Sequence, residues 1–201
     1  MLRGFSKPKA AFPDITLEST RIFMRPPSLQ DWKIWAELRS VNQARIQPFE
    51  PQWPNEPFSQ ELFKKRLARQ SREWTLGHAN TFLIFKKGSA QLIGGMNINN
   101  ICRGAAQYAS LGYWIDQAHE GHGYMAESIK LTLRHCFETL GLHRVNAACL
   151  THNERSKRTL LKAGFKEEGF AEKYIQINGA WQDHVLFGLP IENWLDYHSS
   201  N

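Results

Sequence analysis

Two glycines separated by one histidine, Gly121-His122-Gly123, lie between an apolar stretch that is typical of a strand and the start of a long amphipathic segment. Glycine lets the backbone adopt left-handed conformations and approach a ligand closely. A helix that begins directly after such a loop presents unpaired N–H groups and the positive end of its dipole. The loop therefore predicts a strand–turn–helix unit that either holds an anion such as a pyrophosphate or is a glycine-rich turn with nothing bound.

Helices are predicted where apolar residues recur at helical spacing between capping and stop residues. The first predicted helix begins at Ser28, and its apolar face is expected to carry Trp32, Trp35, Leu38 and Val41. The other three cover Ser59 to about Leu76, Met125 to Leu140 before the stop at Gly141, and Glu154–Ala163.

Strands are predicted where apolar and β-branched residues form short runs. Gly88-Ser89 and Asn178-Gly179 indicate two hairpin turns, and the prolines from Pro48 to Pro57 exclude helix and central strand over that connection. The predicted strands are Arg21–Arg25, Thr81–Phe85, Gln91–Asn99, Tyr108–Ile115, Arg144–Leu150, Phe165–Ile177 and Trp181–Leu189. This order predicts an α/β fold of the mixed α+β kind, with one domain over 1–201 and a loose N-terminal arm over 1–14.

The composition is that of a globular protein, because 42% of the 201 residues are hydrophobic and 22% are charged. No apolar run approaches the ~20 residues that a membrane-spanning helix needs. The first residues carry Arg3, Lys7 and Lys9 without an apolar segment after them, so no signal peptide is predicted. Three cysteines without a C-x-x-C pair indicate reduced thiols, and we expect a cytoplasmic protein with no membrane partner.

Positive charge is concentrated in the first half of the chain. Residues 1–100 contain 15 Lys and Arg against 8 Asp and Glu, whereas residues 101–201 contain 10 against 11. This asymmetry indicates either a contact with an acidic surface or nucleic acid, or a solvated basic face that keeps the protein soluble.

Other anion-binding and metal-binding motifs do not match. A P-loop needs Lys followed by Ser or Thr after its last glycine, and none follows Gly123. A dinucleotide-binding loop needs a third glycine, where this chain has Ala126. His119 and His122 lie three apart with no third ligand nearby, so no metal site is expected.

Several motifs together resemble the GNAT acetyltransferases, over about residues 15–195. Motif A of that family is similar to Leu111-Gly112-Tyr113-Trp114-Ile115 followed by Ala118-His119-Glu120-Gly121-His122-Gly123-Tyr124-Met125-Ala126-Glu127. The RimJ/RimL branch, whose members acetylate N-terminal residues of ribosomal proteins, resembles Asn153-Glu154-Arg155-Ser156 and Ala163-Gly164-Phe165-Lys166-Glu167-Glu168-Gly169. The closing Asn178-Gly179-Ala180-Trp181-Gln182-Asp183-His184 is similar to RimJ specifically. In one departure, Ala118 stands where the family loop often begins with Gln or Arg.

The resemblance implies the GNAT acyl-CoA N-acyltransferase fold, a mostly antiparallel twisted sheet that is splayed at the cofactor cleft and has helices on both faces. Acetyl-CoA would lie between the strand ending near Ile115 and the strand Arg144–Leu150. Asn153 would hydrogen-bond the cofactor arm or cap the following helix. The remaining cofactor-binding residues implied are Trp114 and Ile115 for the pantetheine arm, and the backbone N–H groups of Gly121, His122, Gly123, Tyr124 and Met125 for the pyrophosphate.

The implied reaction is direct attack of an amine on the acetyl thioester. Ser156 is expected by resemblance to protonate the departing thiolate, with a first-turn helix serine as the alternative. Glu50 is our candidate base because its proline-rich connection should border the acceptor cleft; Glu120, a water chain and a merely solvated Glu50 are the alternatives. Trp53 is the expected exposed aromatic residue of the acceptor site.

An α-amino group suits a chain without an obvious base. At pH 7 roughly a tenth of α-amines are neutral, against about 0.04% of lysines. We therefore expect acetylation of a ribosomal protein N-terminus, on the free protein or the assembling ribosome, with a weak rRNA contact through the basic half. The alternatives are a small-molecule amine such as an antibiotic or polyamine, or a non-catalytic module that binds CoA or rRNA.

Overall fold

A computed structural model describes residues 12–199 and arranges eight strands in one mixed sheet. The strand order is β1-β2-β3-β4-β5-β6-β8-β7, and only the β5–β6 pair is parallel. The strands are β1 Leu17–Glu18, β2 Ile22–Arg25, β3 Asn80–Lys86, β4 Leu92–Cys102, β5 Tyr108–Ile115, β6 Arg144–Leu150, β7 Lys166–Ile177 and β8 Ala180–Pro190.

Helices cover both faces of this sheet. They are α1 Trp32–Val41, α2 Gln43–Ile46, α3 Gln60–Thr75, α4 Tyr124–Arg134, α5 Glu154–Lys162 and α6 Ile191–Ser199. Single 3₁₀ turns form at Leu29–Asp31, Gln47–Phe49 and Gln117–His119, and a π-helical turn, His135–Thr139, extends α4. None of these helices is long and apolar enough to cross a membrane.

Strand β3 shows why the sheet has two cores. Successive strand residues point to opposite faces, and β3 is apolar at both sets of positions. Phe82 and Ile84 join a core with Ile129 of α4. Leu83 and Phe85 join the other core, which contains Trp35 and Ile46 of α1 and α2, Phe63 and Leu67 of α3, Leu92 of β4 and Trp114 of β5.

Strands β5 and β6 part in the middle of the sheet. Their pairing runs only from Tyr108 opposite Arg144 to Leu111 opposite Ala147. Beyond those pairs, Gly112–Ile115 stays paired with β4 on its other side, and Ala148–Leu150 stays paired with β8. The predicted splay of the sheet is confirmed, and it opens a cleft that the ends of both strands border.

The structure corrects several local expectations. Val41 does not lie on the apolar face of α1, since 84% of its surface is exposed. Pro48 lies inside a 3₁₀ turn, which tolerates proline at its start. Strand β1 and helix α6 were not predicted, the first because it has only two residues. The predicted N-terminal arm lies mostly outside the described residues, which begin at Phe12.

Candidate active site

The glycine loop has the geometry that its sequence predicts. Gly121 and Gly123 have φ angles of 76° and 81°, a left-handed region that favours glycine. Gly123 is the N-cap of α4, and among residues 12–199 no side chain caps this helix. The first-turn N–H groups of α4 therefore remain available for an anion.

Arg21, directly before β2, holds this loop in place. Its Nη1 donates to the carbonyl oxygen of His122 at 3.0 Å, and its Nε donates to Oε2 of Glu127 at 2.7 Å. Its guanidinium also lies 4.9 Å from the centre of the Tyr124 ring. Burial opposes ionisation of Glu127, but hydrogen bonds from Ser19 and Arg21 outweigh it and lower the pKa of this carboxyl.

A hydrogen bond between two hydroxyl groups spans the cleft between the parted strands. The Tyr113 hydroxyl of β5 lies 2.8 Å from Oγ of Ser156, in the first turn of α5. Burial raises the pKa of Tyr113 well above its usual range, so this phenol stays protonated. The structure thus places two hydrogen-bonded hydroxyl groups at the cleft.

Asn153 lies beside this pair and caps α5. Its Oδ1 accepts a hydrogen bond from the Ser156 backbone N–H at 3.1 Å, which confirms the expected capping role. Among the described residues, no hydrogen bond uses its side-chain NH₂ group, which is left for a ligand in the cleft. Trp114 and Ile115 lie at the open end of β5, so the structure brings these predicted residues to one cleft.

A cavity of about 1040 Å³ adjoins the cleft. Glu50, Trp53, Tyr113 and Trp114 line it, as do parts of α3 and the β7–β8 hairpin. Glu50 is thus placed at the expected cleft, and Trp53 also lies there, though half-buried. The volume lies at the upper end of the range for small-molecule sites, which leaves room for a chain end of several residues.

Glu50 is held by three donors. Arg39 donates to both of its carboxylate oxygens, at 2.8 and 2.5 Å, and Trp53 Nε1 donates at 2.9 Å. The Glu50 carbonyl oxygen accepts from the N–H of Asn178 in the β7–β8 turn. These contacts fix the proline-rich connection to α1 and to the hairpin, and they orient the carboxylate in the cavity wall.

Arg39 is buried among aromatic rings. Its guanidinium carbon lies 4.5 Å from the ring centre of Trp53, 4.9 Å from that of Trp114 and 5.9 Å from that of Trp35. Arg66 of α3 lies 5.3 Å from the Trp35 ring centre. Burial, followed by repulsion from Arg39, lowers the pKa of Arg66 to about 10. Arg66 is therefore still cationic at neutral pH.

Glu120, the alternative base, is engaged elsewhere. Its carboxylate pairs with Arg45 of α2 at 2.6 Å and with Arg155 of α5. His119 Nδ1 lies 2.8 Å from Asp116 Oδ2, next to the glycine loop. Among the side chains that the structure describes, those of residues 12–195, no group of three or more is suited to a metal ion.

The comparisons with known proteins decide the family. Residues 21–166 match the sequence model of the acetyltransferase (GNAT) domain. This chain is a GNAT acetyltransferase. It is 34% identical over 173 residues to the probable N-acetyltransferase YjcK of Bacillus subtilis, a match that covers 86% of this chain and 96% of YjcK. It is 31% identical over 183 residues to the [ribosomal protein uS5]-alanine N-acetyltransferase of Escherichia coli, covering 90% and 94% of the two chains.

Solved GNAT structures share this fold. The ribosomal-protein-S5-alanine acetyltransferase of Vibrio fischeri has a TM-score of 0.82 at 30% identity, with 90% of this chain and 99% of that one covered. RimJ of Mycobacterium smegmatis, solved with CoA-disulfide, has a TM-score of 0.80 at 28% identity, with 85% and 82% covered. The predicted GNAT fold and the RimJ/RimL resemblance are both confirmed.

Three residues of this GNAT site were not predicted from the sequence. Tyr113 belongs to motif A, but the resemblance assigns it no role; a tyrosine in the middle of an otherwise apolar strand is the signal that could have indicated one. Arg39 and Arg66 lie on α1 and α3, where an arginine is more often a solvated surface residue. Their role depends on how those helices pack on the sheet.

Proposed function

We propose that this GNAT protein transfers the acetyl group of acetyl-CoA to the N-terminal α-amino group of a ribosomal protein. The observation that carries the proposal is the Tyr113–Ser156 hydroxyl pair, which stands where the cleft between β5 and β6 meets the large cavity. The ribosomal acceptor is supported by similarity, over nine-tenths of the chain, to the Escherichia coli enzyme named for alanine of uS5.

The residues present fit acetyl-CoA as a co-substrate, without a metal. The left-handed glycines Gly121 and Gly123 leave the uncapped first turn of α4 open, and a Cβ at Gly121 would meet nothing within 4 Å. We assign the N–H groups from Gly121 to Met125, including those of His122 and Tyr124, to the pyrophosphate. The unpaired edge at Trp114 and Ile115, together with the Asn153 NH₂ group, would hold the pantetheine arm.

The proposed reaction joins the amine nitrogen to the acetyl carbon and breaks the carbon–sulfur bond. The departing thiolate takes a proton from the Ser156 hydroxyl, and the hydroxyl of Tyr113 hydrogen-bonds to Ser156 and can return one. A backbone N–H near Trp114 would stabilise the charge that develops on the acetyl oxygen.

Glu50 is the proposed acceptor of the amine's proton. Its carboxylate lines the cavity, where Arg39 and Trp53 donate hydrogen bonds to it. An α-amine needs little help from a base because a useful fraction is already neutral. The positive charge of Arg66 also favours the neutral form of a nearby amine.

The alternatives are less well supported. A polyamine would be repelled by the cations that line the cavity, whereas the end of a peptide carries a single amine. A non-catalytic CoA or rRNA module would have no use for the paired hydroxyls of Tyr113 and Ser156. For a ribosomal acceptor in the cytoplasm, the basic helix α3 is the part of the N-terminal half that we propose for weak rRNA contact.

The test measures CoA release from acetyl-CoA with short peptides that carry either a free N-terminus or a blocked N-terminus with an internal lysine. Turnover confined to free N-termini is expected. Turnover on the internal lysine alone, or only on small amines, would replace the proposed acceptor. Acetyl-CoA binding without turnover on any peptide, free ribosomal protein or ribosomal subunit would favour the non-catalytic module.

A further inference from the structure

The cavity has one strongly cationic wall. Lys65, Arg66 and Arg69 of α3 line it, and among the ion pairs within residues 12–199 none includes a cation of α3. Arg39 is different, because Glu50 neutralises it with two hydrogen bonds. On the other side of the cavity, Arg144 and Glu168 pair with each other.

Arg66 is the cation of this wall that lies deepest. It is half-buried, its guanidinium rests on the Trp35 ring, and Arg39 rests on the same ring. No described carboxylate forms an ion pair with Arg66, and the nearby Glu50, which raises the pKa of Arg66, is bound by Arg39. Withdrawing a guanidinium from water without a direct ion pair costs free energy, and an anionic ligand would recover part of that cost. Because the guanidinium is planar, it binds a carboxylate through two parallel hydrogen bonds.

We propose that Arg66, assisted by Arg69 at the rim, binds an acidic side chain of the acceptor, one to three residues after the amine that is acetylated. Trp114, at the open end of β5, and Trp35, beneath Arg66, both contact Arg39, so a thioester bound at the open end of β5 would lie across that cluster from Arg66. An extended peptide covers ~3.3–3.6 Å per residue, so a few residues would be enough to span side chains packed in this way. The inference rests on the proposed function for its choice of a peptide acceptor.

The experiment compares peptides with a free N-terminus that differ only by Glu or Gln at position 2, 3 or 4. Binding in the presence of CoA is measured by titration calorimetry, and CoA release with acetyl-CoA is measured separately. We expect the Glu peptide to bind about tenfold more tightly at one of these positions, a preference that declines with salt. Arg66→Gln should abolish the preference, and Arg66→Lys should retain part of it.

Arg72→Gln is the matched control, because Arg72 is an exposed cation of the same helix that does not line the cavity. It should keep the full preference. A wild-type ratio near one at all three positions would overturn the inference, as would an unchanged ratio in a folded Arg66→Gln protein. Equal binding of the Glu and Gln peptides together with equal turnover would also overturn the inference, but it would leave the proposed function in place. A binding preference that depends on Arg66 in a protein without turnover would support the inference and remove the proposed function.

Discussion

The hydroxyl oxygens of Tyr113 and Ser156 lie 2.8 Å apart although the two residues are 43 positions apart in the chain. Tyr113 belongs to β5 and Ser156 to α5, which follows β6, so the pair connects the two sides of the cleft. The Ser156 backbone N–H is engaged separately, by Asn153. The Ser156 side chain is therefore free of any capping duty in α5.

Replacing Ser156 with alanine should lower kcat by about 100-fold, the loss typical for a general acid. The affinity for acetyl-CoA should hold because the cap at Asn153 uses only the backbone of residue 156. Steady-state kinetics and calorimetry check the two quantities. Thr159→Ala, which removes a hydroxyl from the exposed part of the same helix, should leave both unchanged. Normal turnover in Ser156→Ala would remove Ser156 from the mechanism.

Tyr113→Phe should lower kcat by less than Ser156→Ala, because the phenol acts through the serine hydroxyl. The double variant should be no slower than Ser156→Ala alone, since residues that act as one unit are not additive. Rates of all four proteins form the double-mutant cycle. Additive losses would show that the two hydroxyl groups work independently.

Gly123→Ala should weaken acetyl-CoA binding and lower stability. Its φ of 81° strains any residue with a Cβ, at a cost of about 1–2 kcal/mol, and the added methyl group would lie 3.3 Å from Arg21 Nη2. Gly141→Ala imposes similar strain just beyond the other end of the same helical segment, where a Cβ meets nothing within 4 Å. Gly141→Ala should lower the stability without changing the affinity for acetyl-CoA. Equal affinities in the two variants would contradict the anion-binding role of the loop.

Gly95→Ala should disturb the wall of the acceptor cavity at Trp114. A Cβ at Gly95 would lie 2.5 Å from Trp114 Nε1, so the ring that packs on Arg39 has to move. We expect a loss of about 1–3 kcal/mol in unfolding free energy and a raised KM for the acceptor. Gly169→Ala has open space around its Cβ and should change neither. Unchanged tryptophan fluorescence together with an unchanged KM for the acceptor in Gly95→Ala would refute this account.

Buried His135 should make stability depend on pH. Burial lowers its pKa from 6.5 to about 4, so the unfolded chain binds more protons between those values. The contribution of neutral His135 to the free energy of unfolding is complete above about pH 6.5. It declines as the pH falls toward 4, by about 3 kcal/mol in total. Urea unfolding of wild type and His135→Gln across this range measures the difference. Identical pH slopes for the two proteins would contradict the prediction.

Local patterns were sufficient for most of the fold. Strands Tyr108–Ile115 and Arg144–Leu150 have the bounds that their apolar runs predict, and the Asn178-Gly179 turn forms the expected hairpin. Helix α6 was missed because it follows β8 directly, with no loop to mark its start. Trp194 becomes informative only when it packs on Phe137 of the π-helical turn.

In the candidate site too, features formed by consecutive residues could be predicted, and contacts between distant segments could not. The glycine loop could be predicted because its chemistry lies in consecutive residues. The neutralisation of Arg39 by Glu50 could not, since it requires the proline-rich connection to fold back on α1. The count of charged residues predicts that the first half of the chain is basic. Only the structure shows that several of these cations lie on α3, along the cavity wall.

Only four residue pairs join β5 to β6, whereas seven join β4 to β5 and seven join β6 to β8. The seam between the two halves of the sheet is therefore weaker than the strand pairs on either side of it. A ligand that hydrogen-bonds to the edge of Gly112–Ile115 would replace the missing strand pairs and act as a short additional strand. We therefore expect the sheet to be more rigid while such a ligand is bound than after the product leaves.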